Sequence, residues 1–327
     1  MPLPPLRFKP ILKPKVWGGR RLADFGKPLP EGESVGESWE LADLPESIPD
    51  GRSVIDGGPH DRTPLRDLVN TEAKALLGRV SCSAEGGFPL LLKFLDANEN
   101  LSVQVHPDEA FVAKHPEAHL KSEAWYIMDA KPGSVIYAGV KPGVTADQFK
   151  ASIQDGSLVE LLVSIPAVPG DCHYLPSGTC HALGEGVLVA EVQTPSDTTF
   201  RVWDWGRTDR EIHVEEAMAC IDFSGQQIDC SRPQPVESED RITTRFVDVP
   251  FFRIDRIQSK GTDSISMKSN DVPEAFMVLD GDSHLRHNDV QMPLTRGDTI
   301  LLPADREDCV IDPQSSIDIL HVTLGTG

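Results

Sequence analysis

The chain has 327 residues, of which 39% are hydrophobic and 25% are charged, a composition typical of a globular protein large enough for more than one core. Its 51 acidic residues outnumber its 31 basic residues, and the resulting negative surface argues against nucleic-acid binding. The sequence has no run of about 18 apolar residues and no secretory signal pattern, and its six cysteines are too sparse for a disulfide framework. We therefore expect a cytoplasmic protein with reduced thiols and no membrane partner.

Helical patterns are few. The first predicted helix begins after Pro64 and ends at Gly78, with one apolar face that consists of Leu65, Leu68, Val69, Leu76 and Leu77. Asp108 is expected to begin a short helix that ends before Pro116, and residues 213–221 predict another.

Two capping-box patterns occur close together. They are Thr145-x-x-Gln148 and Ser157-x-x-Glu160. We expect them to begin two short helices that form an insertion at about residues 144–165.

Most of the remaining chain is predicted to be β-strand, because short apolar or alternating segments are bounded by Gly, Pro, Asn or Asp. These segments are residues 89–95, 101–106, 123–130, 134–140, 186–194, 198–205 and 250–257. Many short strands separated by turns are typical of a sandwich or barrel. Residues 226–240 are polar, contain two prolines and are the best candidate for a linker.

The sequence contains a faint internal repeat. Residues 123–130 match residues 274–281 in type at nearly every position, and residues 170–176 match residues 297–303. The two motifs begin 47 positions apart in the first copy (170 minus 123) and 23 apart in the second (297 minus 274). The helical insertion accounts for the difference, so we predict a first domain at 1–235 and a degenerate copy at 240–327. Chance similarity between apolar strands is the alternative.

Two of the predicted strands carry polar side chains at alternate positions, which places them on one face of each strand. In residues 101–106, Ser102, Gln104 and His106 share a face. Farther along the chain, Lys121 and Glu123 share another. A solvent-exposed edge is one interpretation, and two strands that converge inside a barrel are the other.

The segment 170–186 contains two cysteines and two histidines, but its spacing of Gly170, Pro176, Gly178 and His181 resembles the second motif of the cupin superfamily. The first cupin motif is present in altered form. This resemblance implies a mainly β fold with two cupin-like jelly-roll β-barrel domains and short helical insertions in the first. It also implies that His181 is a metal ligand, whereas the neighbouring residues Cys172, His173 and Cys180 are not. Both cysteines are then expected to be buried structural thiols.

Together the motifs resemble one family, the type I mannose-6-phosphate isomerases of the short bacterial class. The matching segments are residues 17–19, 36–40, 90–110, 121–127, 176–186 and 191–207. The resemblance implies four metal ligands, which are Gln104, His106, Glu123 and His181. This set suits one Zn²⁺ per chain and does not exclude Mn, Co or Fe(II). The second copy is expected to lack ligands, with Asp308 at the position of His181.

The family reaction interconverts mannose 6-phosphate and fructose 6-phosphate through an enediol. The resemblance makes Arg201 an active-site residue and places Trp17 and Glu37 in the pocket. Strand parity and the resemblance together suggest which residues bind the sugar phosphate. The candidates are Lys93, Ser102, Lys121 and Arg201. The sequence leaves the base open between a carboxylate such as Glu191, the Lys121 amine and a hydroxide bound to the metal.

Two other functions compete with this one. Another metal-dependent cupin enzyme, such as a dioxygenase or a different sugar isomerase, is one. Dioxygenases of this type usually have a histidine where this chain has Gln104. A non-catalytic protein that binds sugar phosphates is the other, although the ligand types and Arg201 are intact. The expected partner is a small sugar phosphate, and the expected assembly is a monomer or a homodimer.

Overall fold

The computed structural model describes residues 2–326, and most of its regular structure is β-strand. The four α-helices are α1 (Leu65–Leu77), α2 (Glu109–Val112), α3 (Ala146–Asp155) and α4 (Val214–Cys220). The strands are β1 (Leu6–Arg7), β2 (Ile11–Lys13), β3 (Glu37–Leu41), β4 (Leu91–Asp96), β5 (Val103–Val105), β6 (Glu123–Ala130), β7 (Val135–Val140), β8 (Leu162–Pro166), β9 (Cys172–Leu175), β10 (His181–Leu183), β11 (Val187–Gln193), β12 (Phe200–Trp203), β13 (Val236–Glu237), β14 (Arg241–Asp248), β15 (Phe252–Ser259), β16 (Ile265–Met267), β17 (Glu274–Asp280), β18 (Ser283–His287), β19 (Val290–Leu294), β20 (Thr299–Leu302), β21 (Cys309–Pro313) and β22 (Asp318–Leu324). The prediction of a mainly β fold is confirmed.

Two antiparallel sheets form the first unit. One has the order β2-β3-β4-β11-β6-β9 and the other β12-β5-β10-β7-β8. Apolar side chains from both sheets pack into one cluster, in which Trp125 and Ile127 of the first sheet meet Ile136 and Leu183 of the second. The inner faces of the two sheets therefore face each other, as expected for a jelly-roll arrangement.

The second unit repeats this arrangement with a seven-stranded sheet, β1-β20-β17-β22-β15-β14-β13, and a four-stranded sheet, β16-β21-β18-β19. Strand β1 comes from the N-terminal end of the chain and pairs with β20. One apolar core also joins the two units, since Phe94 and Tyr126 of the first unit belong to the same cluster as Phe252 and Val322 of the second. The division near residues 235–240 remains a proposal about the domains.

The predicted internal repeat is confirmed by strand register. Glu123 pairs with Leu175 in the first unit, and Glu274 pairs with Leu302 in the second. The strand order β4-β11-β6-β9 has its counterpart in β15-β22-β17-β20, and β5-β10-β7-β8 has its counterpart in β16-β21-β18-β19. Chance similarity does not explain eight strands with matching neighbours.

The helices follow the predictions with one exception. Thr145 and Gln148 form the expected capping box at the start of α3. Ser157 forms no cap, because its hydroxyl donates backwards to Asp155 Oδ1 at 2.6 Å, and residues Leu158–Leu161 form a 3-10 turn instead. The second capping-box prediction was therefore wrong. No helix among residues 2–326 is long and apolar enough to cross a membrane.

The second unit differs from the first where the metal ligands are predicted. Cys309 begins β21 and pairs with Met267, as His181 begins β10 and pairs with Gln104. The expectation for Asp308 was wrong, because this turn is one residue longer and the Asp308 carboxylate accepts the Ser269 amide on the surface.

Glu274 is the counterpart of Glu123 in the second unit. Its carboxylate pairs with the guanidinium of Arg306. Glu274 is buried, accepts a hydrogen bond from Asn270 Nδ2 at 2.9 Å and pairs with Arg306. The Arg306 side chain has no exposed surface, and it also donates to the Pro303 carbonyl at 3.1 Å. An arginine thus occupies this polar site of the second unit.

Replacing Arg306 with leucine is expected to destabilise the protein by about 3–5 kcal/mol, because the Glu274 carboxylate would stay buried without its cation. Chemical denaturation measures this loss. The double variant Arg306→Leu/Glu274→Leu should recover much of it, since neither charge remains buried. A double variant as unstable as the single one would show that packing, rather than charge, accounts for the effect.

Candidate metal centre

Three of the predicted ligands lie on strands that converge on one interior space, and the fourth, His106, directly follows β5. His181 of β10 pairs with Gln104 of β5, and Arg201 of β12 pairs with Gln104 on its other side. Directly opposed residues in antiparallel strands point to the same face. Arg201, Gln104 and His181 therefore form one inward-facing row, and Glu123 reaches the same space from β6 of the facing sheet.

Two imidazoles and one carboxylate meet in this space. The Nε2 atom of His106 lies 3.3 Å from Glu123 Oε2, and that of His181 lies 3.2 Å from Glu123 Oε1. The ligand atoms of these three residues all lie within 4.8 Å of one another. All three side chains are almost completely buried, so the cluster is not an accidental surface group.

Backbone carbonyls hold both imidazoles in the orientation that a metal site requires. His106 Nδ1 donates to the Thr198 carbonyl at 3.0 Å, and His181 Nδ1 donates to the Thr179 carbonyl at 2.8 Å. Each Nε2 atom is then left as the acceptor that points towards Glu123. Metal-binding histidines are commonly fixed by such a hydrogen bond from the other ring nitrogen.

The donor set fits a divalent cation. His106 Nε2 and both carboxylate oxygens of Glu123 are buried and form no hydrogen bond of normal geometry among the residues that the structure describes, although Lys121 Nζ lies close to Glu123 Oε2. Burial, with the nearby charge of Lys121, lowers the pKa of His106 to about 3, and burial lowers the pKa of His181. Neutral imidazoles and an ionised carboxylate are the protonation states that bind metal.

Gln104 lies beside the cluster. Its Nε2 atom is 3.3 Å from His181 Nε2, and its Oε1 atom accepts a hydrogen bond from Ser102 at 3.3 Å. A half-turn of the amide would exchange these two atoms and present Oε1 to the metal. Because the Ser102 hydroxyl can donate or accept, it would satisfy either orientation.

Lys121 is the cation nearest to the cluster. Its Nζ atom lies 2.9 Å from Glu123 Oε2, and its side chain is buried. A substrate oxygen bound at the cluster would therefore lie within the reach of this ammonium group.

A second charged group lies on β3, β4 and β11, which belong to the same sheet as β6. Lys93 Nζ lies 3.3 Å from Glu191 Oε1 and 3.8 Å from Glu37 Oε2. All three residues are buried. Two tryptophans complete the group, since Trp39 donates to Glu37 at 2.6 Å and Trp125 donates to Glu191 at 2.9 Å.

The charges of this group shift the pKa values of its members in opposite directions. Burial alone would raise the pKa of Glu37, but the ammonium groups of Lys93 and Lys15 lower it to about 2. Burial opposes the charged form of Lys93, whereas Glu191 and Glu37 raise its pKa. Burial raises the pKa of Glu191, even though Lys93 acts against this. Glu191 is therefore the carboxyl group of this set that takes up a proton most readily.

We expect Glu37→Gln to destabilise the protein at neutral pH. The folded-state pKa of Glu37 lies below its ordinary value of 4.5, so its ionised form adds stability above about pH 4.5 that is lost as the pH falls towards 2. The loss at pH 7 should be on the order of 3 kcal/mol. Urea denaturation of both proteins between pH 7 and pH 3 would measure it, with the exposed Glu117→Gln as the control. A loss that does not shrink at low pH would contradict this reason.

The other predicted residues lie in or near these two groups, with one exception. Arg201 is half-buried, donates to the Glu211 carbonyl at 2.7 Å and has a buried Nε atom with no partner in the described chain. Ser102 is buried beside Gln104. Trp17 packs in the apolar cluster of the first unit, and no contact recorded for it reaches the metal ligands.

The neighbouring cysteines and histidine remain outside the cluster. Cys180 packs in an apolar cluster with Val103 and Val105, on the side of β5 that faces away from Gln104. Burial raises the pKa of both Cys172 and Cys180, which keeps their thiols protonated. His173 is buried, pairs with Trp125 in the strand register and is not part of the cluster.

Sequence reasoning missed four contributors to the site. Trp125 lies two residues after Glu123 on the same strand, so strand parity could have placed it on the inner face. Trp39 lies two residues after Glu37, and the same argument applies to it. The carbonyls of Thr179 and Thr198 carry no side-chain signal, and only the folded chain identifies them.

Comparisons with known proteins agree with this geometry. Residues 6–148 match the family model described as phosphomannose isomerase type I, catalytic domain. The chain is 34% identical over 306 residues to mannose-6-phosphate isomerase ManA of Bacillus subtilis (strain 168), covering 91% of this chain and 93% of that protein. It is 35% identical over 305 residues to the mannose-6-phosphate isomerase of Streptococcus mutans, covering 91% and 92%.

A solved structure leads to the same family. The crystal structure of the mannose 6-phosphate isomerase from Bacillus subtilis superposes with a TM-score of 0.88 and 31% sequence identity, and the match covers 98% of this chain and 99% of that one. The identity and the coverage of both chains are high enough to assign the family. The chain belongs to the type I mannose-6-phosphate isomerases.

Proposed function

We propose that this protein is a metal-dependent aldose–ketose isomerase that interconverts mannose 6-phosphate and fructose 6-phosphate. The observation that carries the proposal is the buried cluster of His106, Glu123 and His181, whose ligand atoms all lie within 4.8 Å of one another. Membership of the family supports the choice of reaction and substrate.

The reaction moves a proton between C1 and C2 of the sugar and passes through an enediol. A divalent cation bound by Gln104, His106, Glu123 and His181 would stabilise the negative charge that develops on the carbonyl oxygen. We propose one Zn²⁺ per chain, because two imidazole nitrogens with carboxylate and amide oxygens are typical zinc ligands. Mn, Co and Fe(II) are compatible with the same donors.

Glu191 is the proposed base for the carbon-bound proton. A general base needs to be ionised when it accepts the proton and to hold that proton long enough to return it. Burial raises the pKa of Glu191, while its ion pair with Lys93 and the hydrogen bond from Trp125 keep the carboxylate in a fixed orientation. Lys121 carries a positive charge next to Glu123, and we assign it to the enediol oxygens rather than to proton abstraction.

The remaining polar residues are proposed to hold the sugar phosphate. Arg201 lies in the same row as Gln104 and His181, and a guanidinium suits a phosphate or a developing oxyanion. Lys93 and Glu37 would bind sugar hydroxyls on the other side of the cluster, and Ser102 would bind next to Gln104. Trp17 is proposed to support the pocket from the apolar cluster behind it.

A coupled assay tests this function. Purified protein should convert mannose 6-phosphate to fructose 6-phosphate, a chelator should abolish the conversion, and added Zn²⁺ should restore it. Glucose 6-phosphate and ribose 5-phosphate would reveal a different aldose as substrate. Protein that binds zinc and mannose 6-phosphate without conversion would instead support a non-catalytic binding role.

We also propose that the protein acts in the cytoplasm. The six cysteines are all unpaired in the part of the chain that the structure describes. Three of them are buried away from the solvent. Reduced thiols are the normal state in that compartment.

A further inference from the structure

Trp125 connects the two groups that the proposed reaction uses. It lies on β6 two residues after Glu123, and its side chain is 1% exposed. Its indole Nε1 donates to Glu191 Oε2 at 2.9 Å. Its ring meets the ring of His181 edge-on, with the centroids 5.3 Å apart and the planes at 85°. One rigid side chain therefore touches a proposed metal ligand and the proposed base.

The hydrogen bond to Glu191 determines how its carboxylate is oriented. The Oε2 atom receives the indole N–H, and the Oε1 atom lies 3.3 Å from Lys93 Nζ. These two contacts on opposite oxygens hold the carboxylate plane, which a single ion pair with a lysine would leave free to rotate. A positioned base loses much of its effect when its geometry loosens by about 1 Å.

Trp39 provides a comparison within the same sheet. It donates to Glu37 Oε2 at 2.6 Å, as Trp125 donates to Glu191. Its other recorded ring contacts are with the ammonium groups of Lys13 and Lys93, at 4.5 and 5.2 Å from its centroid. Within residues 2–326, Trp125 packs against the proposed metal ligand His181, and Trp39 does not pack against any of the proposed ligands.

We propose that Trp125 is a positioning residue that holds the Glu191 carboxylate at a fixed distance from the metal ligand His181. The inference rests on the proposed isomerase function and extends it to a residue that does not touch the reacting atoms. Phenylalanine at this position would retain an aromatic ring beside His181 and lose the N–H donor.

A double-mutant cycle tests this role. Trp125→Phe should lower kcat about 10- to 100-fold, the range for losing one hydrogen bond to a charged group, with KM changed less than about threefold. In the Glu191→Gln background the same substitution should lower the residual kcat by less than about threefold, because the charged partner is already gone. Metal content should stay at the wild-type value, whereas the unfolding midpoint should fall, because the variant loses buried volume and a hydrogen bond to a buried carboxylate.

The same substitution elsewhere serves as the control. Trp203 packs against the apolar cluster that contains Val103 and Val105, on the outer side of the second sheet, and Trp203→Phe should leave kcat unchanged. Equal losses of kcat in the wild-type and Glu191→Gln backgrounds would overturn the proposal, as would an unchanged kcat in Trp125→Phe or a loss of metal.

A spectroscopic measurement keeps the inference separate from the proposed function. The indole N–H resonance of Trp125, assigned by its disappearance in Trp125→Phe, should shift in Glu191→Gln and stay in place in Glu37→Gln. Wild-type protein that fails to isomerise mannose 6-phosphate would overturn the proposed function. An indole resonance that does not respond to Glu191→Gln would overturn the role of Trp125, whatever the activity.

Discussion

Replacing His181 with alanine is expected to remove both the metal and the isomerase activity. His181 carries one of the two imidazoles that face Glu123. Within residues 2–326, it is also the only side chain that contacts both the Glu123 carboxylate and the Gln104 amide. Loss of an outer-shell partner typically costs about 10- to 100-fold in metal affinity or activity, and loss of a ligand should exceed that. Metal analysis of the purified variant and the coupled assay give the two readouts.

His173→Ala is the matched control for this variant. It removes another buried imidazole from the same unit, with a similar loss of packing, but His173 lies outside the ligand cluster. We expect His173→Ala to keep one metal per chain and most of its activity. Metal loss in both variants, or in neither, would contradict the assignment of His181 as a ligand.

Replacing Arg201 with alanine should leave the metal in place and strongly lower turnover. Arg201 shares a row with Gln104, but none of its recorded contacts reaches His106, Glu123 or His181. Its Nε atom is buried and has no partner in the described chain, so its charge is partly desolvated and would act more strongly on a bound anion than a charge in water. Loss of one such group in a preorganised site typically costs about 100- to 1000-fold in kcat.

The control for this variant is Arg62→Ala. It removes the same charge from the surface, since the Arg62 side chain is 85% exposed, and it should leave activity unchanged. Metal analysis of Arg201→Ala is the decisive second readout. If that variant loses the metal together with its activity, Arg201 supports the metal centre and does not bind the substrate.

Strand parity carried much of the prediction of the site. The alternation in residues 101–106 placed Gln104 and His106 on one face, and the structure brings both into the interior with Glu123 and His181. The alternation of polar and apolar residues did not show that Gln104 and His106 lie in the interior, because a solvent-exposed strand has the same pattern. The resemblance to a known family decided between the two interpretations, since it supplied the spacing around His181.

The sequence failed where a local pattern depends on its surroundings. The Ser157 pattern matches a capping box, but Asp155 competes for the same hydroxyl. Asp308 has the correct spacing for a ligand position, but a turn that is one residue longer moves Cys309 into the strand. In both cases the residue types match the expected pattern, and the three-dimensional surroundings decide the outcome.

The network around Lys93 shows a different limit. Strand parity and the family resemblance suggested Lys93 as a substrate-binding residue, whereas its partners Glu37 and Glu191 lie on two other strands. The pairing that brings them within 3.8 and 3.3 Å of its ammonium is set by the register of three strands. Register between strands distant in sequence depends on the whole sheet, so the pKa shifts of this group could not be derived from the chain alone.

Anomalous diffraction at the zinc absorption edge, on crystals of the purified protein, tests the central claim most directly. We predict one strong peak per chain, about 2.0–2.2 Å from Nε2 of His106, Nε2 of His181 and a carboxylate oxygen of Glu123, with the Gln104 amide oxygen turned towards it. A peak bonded to Cys172 or Cys180, or crystals of active enzyme with no peak between these strands, would contradict the assignment.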